Sequence, residues 1–346
     1  MSEFSKEVSG IDMASEKFDV CFKVSRINQS AVIKGTKTFD NDNAGFNKYL
    51  LWCQKRSKTE DLIHIVEATG VYHENLCYFL FEQGQSVSVQ LPQKAKYFIK
   101  SLNIKTKTDK TDASALAEMG FSRRFELWKP LSSSFRNIRD LSRTLVRLKN
   151  SQTATKSQIH ALNHAHQEER TAINLMEKLL STHKEIIEEC EIKILKLVDK
   201  DEALRKRIDR ITKIKGIGTL TVVKLLAETD GFRNVKSIKS LVSYSGLDVA
   251  QNQSGKMKGK SRISKKGNAY IRAALYMPAM SAVQHDEKSK AFYERLNERL
   301  PKKRQSLVAV MRKLLITIYA LWKNEQEYDV NHNWEKQRRG LSPVTG

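Results

Sequence analysis

Four carboxylates have the setting to do chemistry together. Asp12 follows Ser9-Gly10-Ile11, which opens a strand, and Glu67 closes the buried-type strand Leu62-Ile63-His64-Ile65-Val66. Asp109 and Asp112 lie three apart at the start of a helix, so both can face one side. In open α/β sheets functional groups gather beyond the strand ends. An acid on the first strand, one on a central strand and a pair on a late helix is the layout of an RNase H-like nuclease core. Clustered carboxylates hold hard divalent ions, Mg²⁺ (or Mn²⁺), which orient and polarise a phosphodiester. Taken singly each acid has a plainer reading, Asp109 as a helix cap and Asp112 as an exposed carboxylate; the set in this order makes the metal site. Lys105, Lys107 and Lys110 lead into the acid pair and suit a phosphate backbone passing the metals. His64 and His73 read as structural, because no third ligand completes a zinc site.

The second chemical stretch is Gln251 to Arg272, QNQSGKMKGKSRISKKGNAYIR. It holds seven basic side chains and no acid, and Gly255, Gly259 and Gly267 interrupt it, so its first half is not a regular helix. Ser254 stands at its head. A small hydroxyl among Lys256, Lys258, Lys260, Arg262, Lys265 and Lys266 makes a phosphate-handling loop, with backbone amides brought close at the glycines. The plainer alternative is a solvated basic loop that only touches nucleic acid. Upstream, Ile214-Lys215-Gly216-Ile217-Gly218 before an amphipathic helix has the form of a helix-hairpin-helix turn, whose Gly216 and Gly218 amides, with Lys215, would grip a nucleic-acid backbone without reading bases; an ordinary helix-to-helix turn is the competing reading.

The charge distribution agrees with a polyanion partner. The 346-residue chain carries a formal net charge of +22. Residues 1–130 have 19 basic and 16 acidic groups, residues 131–210 have 16 and 12, and residues 211–346 have 26 and 11, so +15 falls in the last part. Nucleic acid is the expected partner and a membrane surface is not. With no run of 18 apolar residues and no signal-peptide pattern, a cytoplasmic, nucleoid-associated location is expected. Cys21, Cys53, Cys77 and Cys190 are scattered and read as core thiols.

Three segments and a tail must position these groups. Residues 1–130 read as an α/β domain: a strand at Gly10–Asp12, a paired strand through Phe18, Val20, Phe22 and Val24, a third at Thr36–Phe39, then helices alternating with the strands at Leu62–Val66 and Val87–Val89. Residues 131–210 contain no glycine or proline and read as a helical, coiled-coil spacer. From Ile173 to Ile211 apolar residues keep a 3-4 rhythm interrupted by His183 and Asp201; a hairpin folding back near Ala165 to Arg170 that also supports self-association is the favoured reading, and an intermolecular coiled coil the alternative. Residues 211–330 read as a mainly helical C-terminal domain carrying the serine loop, and 331–346 as a flexible basic tail.

The order of these parts, with TDKTDASALAE and SGK…SRISKKGN.Y.R.AL as its most specific pieces, resembles the DEDD transposases of bacterial insertion sequences, a family that includes Piv-type DNA invertases and bridge-RNA-guided recombinases. The resemblance covers roughly residues 8 to 322. It implies a RuvC-like N-terminal domain whose tetrad is Asp12, Glu67, Asp109 and Asp112, and a serine nucleophile at Ser254. It also implies double-stranded donor and target DNA, a structured noncoding guide RNA, and a dimer or a tetramer on two duplexes. The family segment often reads Ser-Gly-Gly where this chain has Ser254-Gly255-Lys256, so Ser243, Ser245, Ser261 and Ser264 remain alternative nucleophiles. The expected activity is DNA cleavage and rejoining through a serine ester. The alternatives are a junction-resolving endonuclease that uses water and a binding protein that has lost catalysis.

Overall fold

The computed structural model describes residues 4–26, 30–59, 61–106, 108–122, 125–166, 169–233, 235–250, 253–254, 257–258 and 262–329. The chain divides into two compact units, Met1–Pro130 and Leu131–Gly346.

In the first unit three strands form an antiparallel meander: β1 (Phe4–Met13), β2 (Lys17–Arg26) and β3 (Val32–Asp40). Helix α1 (Asn43–Gln54) follows, N-capped by Asp42. Then come β4 (Leu62–Glu67), α2 (Glu74–Glu82), β5 (Ser86–Gln90), α3 (Pro92–Ser101) and α4 (Asp109–Ser122). The sheet order is β3-β2-β1-β4-β5, with β4 parallel to β1 and β5 parallel to β4. This is the mixed α/β sheet that the alternation of strands and helices in the sequence leads one to expect. One face carries α1 and α2 over Ile11, Phe18, Phe22, Val66 and their neighbours; the other carries α3 and α4 over Val8, Cys21 and Ile65. β3 is longer than its few apolar residues suggested, because a strand on the sheet's outer edge needs backbone pairing rather than two buried faces.

The second unit is mainly helical. Two 30-residue helices, α5 (Ser133–Leu162) and α6 (Arg170–Asp199), fold back on each other through residues 163–169. The seam does not run unbroken to Ile211. Asp201, which had looked like a polar interruption of it, accepts a hydrogen bond from the Leu204 amide at 2.9 Å and caps a new helix, α7 (Glu202–Thr212). After α8 (Thr219–Thr229) and α9 (Ile238–Ser245) come four two-residue strands, β6 (Val249–Ala250), β7 (Gln253–Ser254), β8 (Met257–Lys258) and β9 (Arg262–Ile263). Helices α10 (Ala269–His285), α11 (Glu287–Asn297) and α12 (Lys303–Asn324) complete the unit. One core joins the root of α5–α6 to α7, α8, α10 and α12. α12 has the length and composition of a membrane span, but Leu307, Val310, Leu314, Leu315, Ile318 and Trp322 bury its apolar face in that core. All four cysteines are buried and unpaired, and the expected tail lies outside the described residues.

Candidate nuclease site and serine hairpin

The parallel register pairs Ile11 with Val66. The next residues, Asp12 and Glu67, therefore stand level at the ends of neighbouring strands. Strand alternation puts Asp12 on the same face as Val8 and Gly10, and Glu67 on the same face as Ile63 and Ile65, which is the face covered by α4. Two glycines set the course of that helix. A Cβ on Gly10 would fall 2.2 Å from both the Ala113 carbonyl oxygen and the Ala117 nitrogen, and one on Gly120 would fall 2.4 Å from a Val8 methyl. α4 thus runs antiparallel to β1, backbone against backbone, and carries its first turn, with Asp109 and Asp112, over the end of β1. That turn is fixed by a reciprocal cap. The Thr111 amide donates to Thr108 Oγ1 at 3.2 Å and the Thr108 amide donates to Thr111 Oγ1 at 2.9 Å.

The four predicted acids therefore meet at one edge, and their charges are felt there. The Asp12 carboxyl is pushed up to about 7, first by burial and then by the negative charges of Glu67, Asp112, Asp109 and Asp19. Asp19 was not anticipated from sequence. It is the antiparallel partner of Asp12 on β2 and accepts a hydrogen bond from Thr38 Oγ1 at 2.6 Å. Among the described residues, no three of His, Cys, Asp or Glu are gathered tightly enough to enclose an ion as they stand. The donor set nevertheless fits a hard divalent cation. It consists of carboxylate oxygens only, and their mutual repulsion is what such an ion offsets. Lys105 and Lys110 are exposed beside the acid pair; Lys107 lies outside the described residues. His64 is structural, as expected: it is buried, bonded to the Tyr49 hydroxyl at 2.6 Å, and lowered to about 4 by burial.

In the second unit the described part of the basic run forms two pairs of short strands above a narrow neck. Its neck lies between Gly246, at φ +65°, and Gly267, where a Cβ would fall 2.4 Å from the Tyr244 carbonyl oxygen. Arg272 Nη1 donates to the Ser245 and Gly267 carbonyls at 2.8 and 3.0 Å. Above the neck, Val249 pairs with Ile263 and Ala250 with Arg262; beyond them Gln253 pairs with Lys258 and Ser254 with Met257. Ser254 is therefore the last residue of β7, paired with the first of β8. The side chain of Ser254 and those of Lys256, Lys258 and Lys260 lie outside the described residues, while Arg262, Lys265 and Lys266 are exposed on the returning strand and neck. Of the other serines, Ser245 is fully buried and donates to the Val242 carbonyl at 2.8 Å, and Ser264 donates to Asp248 Oδ1 at 2.5 Å. Ser243 is exposed on α9, and Ser261 lies outside the described residues.

Beneath the neck sits a polar hub that the sequence did not reveal. The buried Glu228 carboxylate accepts from Arg143 Nε and Nη2 at 2.7 and 2.8 Å and from Asn268 Nδ2 at 2.6 Å. Arg143 also lies over the Tyr270 ring at 4.7 Å, and Asn268 Oδ1 caps α10. A buried carboxylate with three donors rigidifies what it joins, here α5, α8 and the hairpin's C-terminal root. No residue spacing announces it, since its members are far apart in the chain. At the helix-hairpin-helix-like turn, Gly216 takes φ +88° and packs on α10, where a Cβ would fall 2.9 Å from the Ala282 nitrogen. Gly218, by contrast, faces open space at the N-terminus of α8, which has no side-chain cap, and Lys215 is exposed.

Comparisons with known proteins agree with this architecture. A profile described as "Transposase IS116/IS110/IS902 family" matches residues 208–294, and a DEDD transposase profile matches residues 9–164. The pilin gene-inverting protein of Moraxella bovis is 31% identical over 329 residues, 94% of this chain and 98% of that protein. The transposase for insertion sequence element IS1111A of Coxiella burnetii is 26% identical over 297 residues, 76% of this chain and 78% of that protein. Among solved structures, Thermus thermophilus RuvC matches with a TM-score of 0.26 at 15% identity, covering 32% of this chain and 90% of RuvC. The class is thus a transposase or recombinase, an enzyme that acts on DNA, with a DEDD domain of the divalent-metal nuclease type. The pilin gene-inverting protein aligns over nearly the whole chain. The protein belongs to the IS116/IS110/IS902 transposase family.

Proposed function

We propose that this transposase cleaves and rejoins DNA through a covalent serine ester at Ser254, assisted by the acids of the N-terminal unit. The observation that carries the reading is the level placement of Asp12 and Glu67 under the first turn of α4. Asp12, Glu67, Asp109 and Asp112 would hold divalent ions, Mg²⁺ or Mn²⁺, which would supply charge neutralisation at the scissile phosphate and polarisation of its oxygens. The Ser254 oxygen bonds to phosphorus as one phosphorus–oxygen bond to deoxyribose breaks. The serine proton leaves to solvent or a carboxylate, and the departing deoxyribose oxygen takes one up. The ester conserves the bond energy, so a second DNA hydroxyl reverses the step on a new partner. Lys256, Lys258, Lys260, Arg262, Lys265 and Lys266 hold the backbone at the hairpin. Lys105, Lys107 and Lys110 hold it at the acids, and Lys215 and the α8 N-terminus at Gly218 hold it along the flanking duplex. Gly216 serves that turn by letting it pack on α10.

The chemistry requires Ser254 and an acid set to meet, within one subunit or between subunits. An apolar stripe of Leu175, Leu179 and Ile186, exposed on α6, supports self-association through a coiled coil, to a dimer and to a tetramer on two duplexes. A structured guide RNA would choose the sites by base pairing, leaving the protein to read shape. Work on chromosomal DNA implies a cytoplasmic, nucleoid-associated protein. The relatives' names, an inverting protein and an insertion-element transposase, suggest rearrangement by inversion or by movement of an element. Denaturing gels of a cleavage reaction test the nucleophile. Wild-type protein should remain attached to DNA, and Ser254→Ala should bind DNA nearly as well yet form no adduct. Cleavage without any adduct would favour the water-using endonuclease, and normal recombination by Ser254→Ala would remove the serine.

A further inference from the structure

We propose that the outward face of α3 is a binding platform for unpaired nucleotides next to the acidic site, with Tyr97 stacking on a base. The position follows from the sheet. β5 ends at Gln90, the register partner of Glu67 on β4. The chain enters α3 directly from there, so α3 begins at the edge that carries Asp12 and Glu67. Ala95 is fully buried against the cluster that contains Ala113, Leu116 and Ala117, which fixes which side of α3 faces the protein. At 3.6 residues per turn the opposite side is centred on Tyr97, with Lys94 and Lys100 one turn away on either hand. Tyr97 is 57% exposed, and Leu91, at the start of the helix, is 60% exposed. Lys94, Lys96 and Lys100 are exposed as well.

The charge pattern selects the partner. From Leu91 to Thr108 the chain carries five lysines and no acid, beside a cluster of four carboxylates. A face this cationic attracts a phosphate backbone. An aromatic ring at its centre adds something a phosphate does not use, a flat apolar surface. In a duplex the base faces are hidden in the stack, and a ring on a convex helix cannot reach them. Unpaired bases offer their faces, and base–aromatic stacking with flanking cations is how single strands are held without sequence preference. A strand opened around the scissile phosphate would therefore lay its unpaired nucleotides over α3. A single exposed tyrosine is ordinary on protein surfaces. Its position at the centre of an acid-free lysine face, leading from the acidic edge, is what distinguishes this one.

The inference rests on the proposed cleavage reading only for where the strand goes, so the test does not use cleavage. The full-length protein, in EDTA, is irradiated with a single-stranded thymidine oligonucleotide bearing one 5-iododeoxyuridine, and the adduct is mapped by mass spectrometry. The crosslink should fall on Tyr97. It should be retained in Tyr97→Phe, fall about tenfold in Tyr97→Ala, weaken in Lys94→Glu/Lys100→Glu, and vanish when the oligonucleotide is annealed to its complement. Adducts that avoid α3, or a duplex that crosslinks Tyr97 as well as the single strand does, would overturn the platform. Asp12→Ala, which the cleavage reading expects to be inactive, should still crosslink. If wild-type protein crosslinks at Tyr97 but shows no metal-dependent cleavage, the cleavage reading fails and the platform stands.

Discussion

Replacing Asp12 by Asn should make the metal-free protein more stable at pH 8. In the folded protein the Asp12 carboxyl titrates near 7, raised from 3.8 by burial and by Glu67, Asp112, Asp109 and Asp19. Between those two values the unfolded chain has released the proton while the folded one keeps it, so stability falls as pH rises, and above 7 the whole penalty is present. A shift of this size corresponds to about 4 kcal/mol at 1.36 kcal/mol per unit. Asp12 is only partly buried, and solvent screening at the sheet edge reduces the effect to about 1–2 kcal/mol. His64 works in the opposite sense. Its folded value near 4 lies below the ordinary 6.5, so its contribution is present above pH 6.5 and is lost as pH falls toward 4. In the wild type the two slopes oppose each other over the shared window. In Asp12→Asn the histidine slope should stand alone, and stability should climb between pH 4 and 6.5. Urea unfolding at several pH values, with EDTA or with Mg²⁺, measures both. Adding Mg²⁺ should stabilise the wild type and not the variant, since a ligand stabilises only the state that binds it. If Asp12→Asn is less stable than wild type at pH 8 in EDTA, the carboxylates do not share the field argued for here and the metal assignment loses its physical basis.

Other perturbations test other parts of the construction. Gly10→Ala places a methyl against the Ala113 carbonyl and the Ala117 nitrogen, both 2.2 Å away. It should cost about 1–3 kcal/mol in urea unfolding and abolish metal-dependent cleavage, because α4 must lift off β1; full cleavage activity would show that the close approach is not needed. Asn268→Ala removes one donor to the buried Glu228 carboxylate and the cap of α10. It should cost about 1–3 kcal/mol and slow cleavage at saturating DNA more than it weakens DNA binding, as separate titration and single-turnover measurements would resolve. Arg143→Lys keeps the charge but loses the two-point contact with Glu228 and should share that phenotype in milder form; wild-type cleavage kinetics would detach the hub from the hairpin.

What the sequence made legible had local causes. The acids could be placed because strand ends and a helix start are read from apolar alternation and from TDKTD, although Thr108 and Thr111, not Asp109, form the cap there. The helical stretch after Pro130 was legible from the absence of helix breakers, and the fold-back near 165–170 was found there. Asp201 misled because a seam position and a helix cap can share one residue type at one spacing. Asp19, Glu228, Arg143 and Asn268 were silent because their roles arise from pairing across a sheet or across helices 40 to 85 residues apart. The serine stretch was legible as non-helical from its glycines. Its stalk was not, since strands of two residues carry too little alternation to recognise.

The meeting of α4 and β1 through Gly10 has one more implication. The spacing between the strand acids and the helix acids is set by the radii of main-chain atoms in contact, not by any side chain's choice of conformer. Surrounding apolar residues can drift in size over evolutionary time without opening or closing that gap. The tolerance ends abruptly at one position, where a single added carbon would push the two halves of the acidic edge apart.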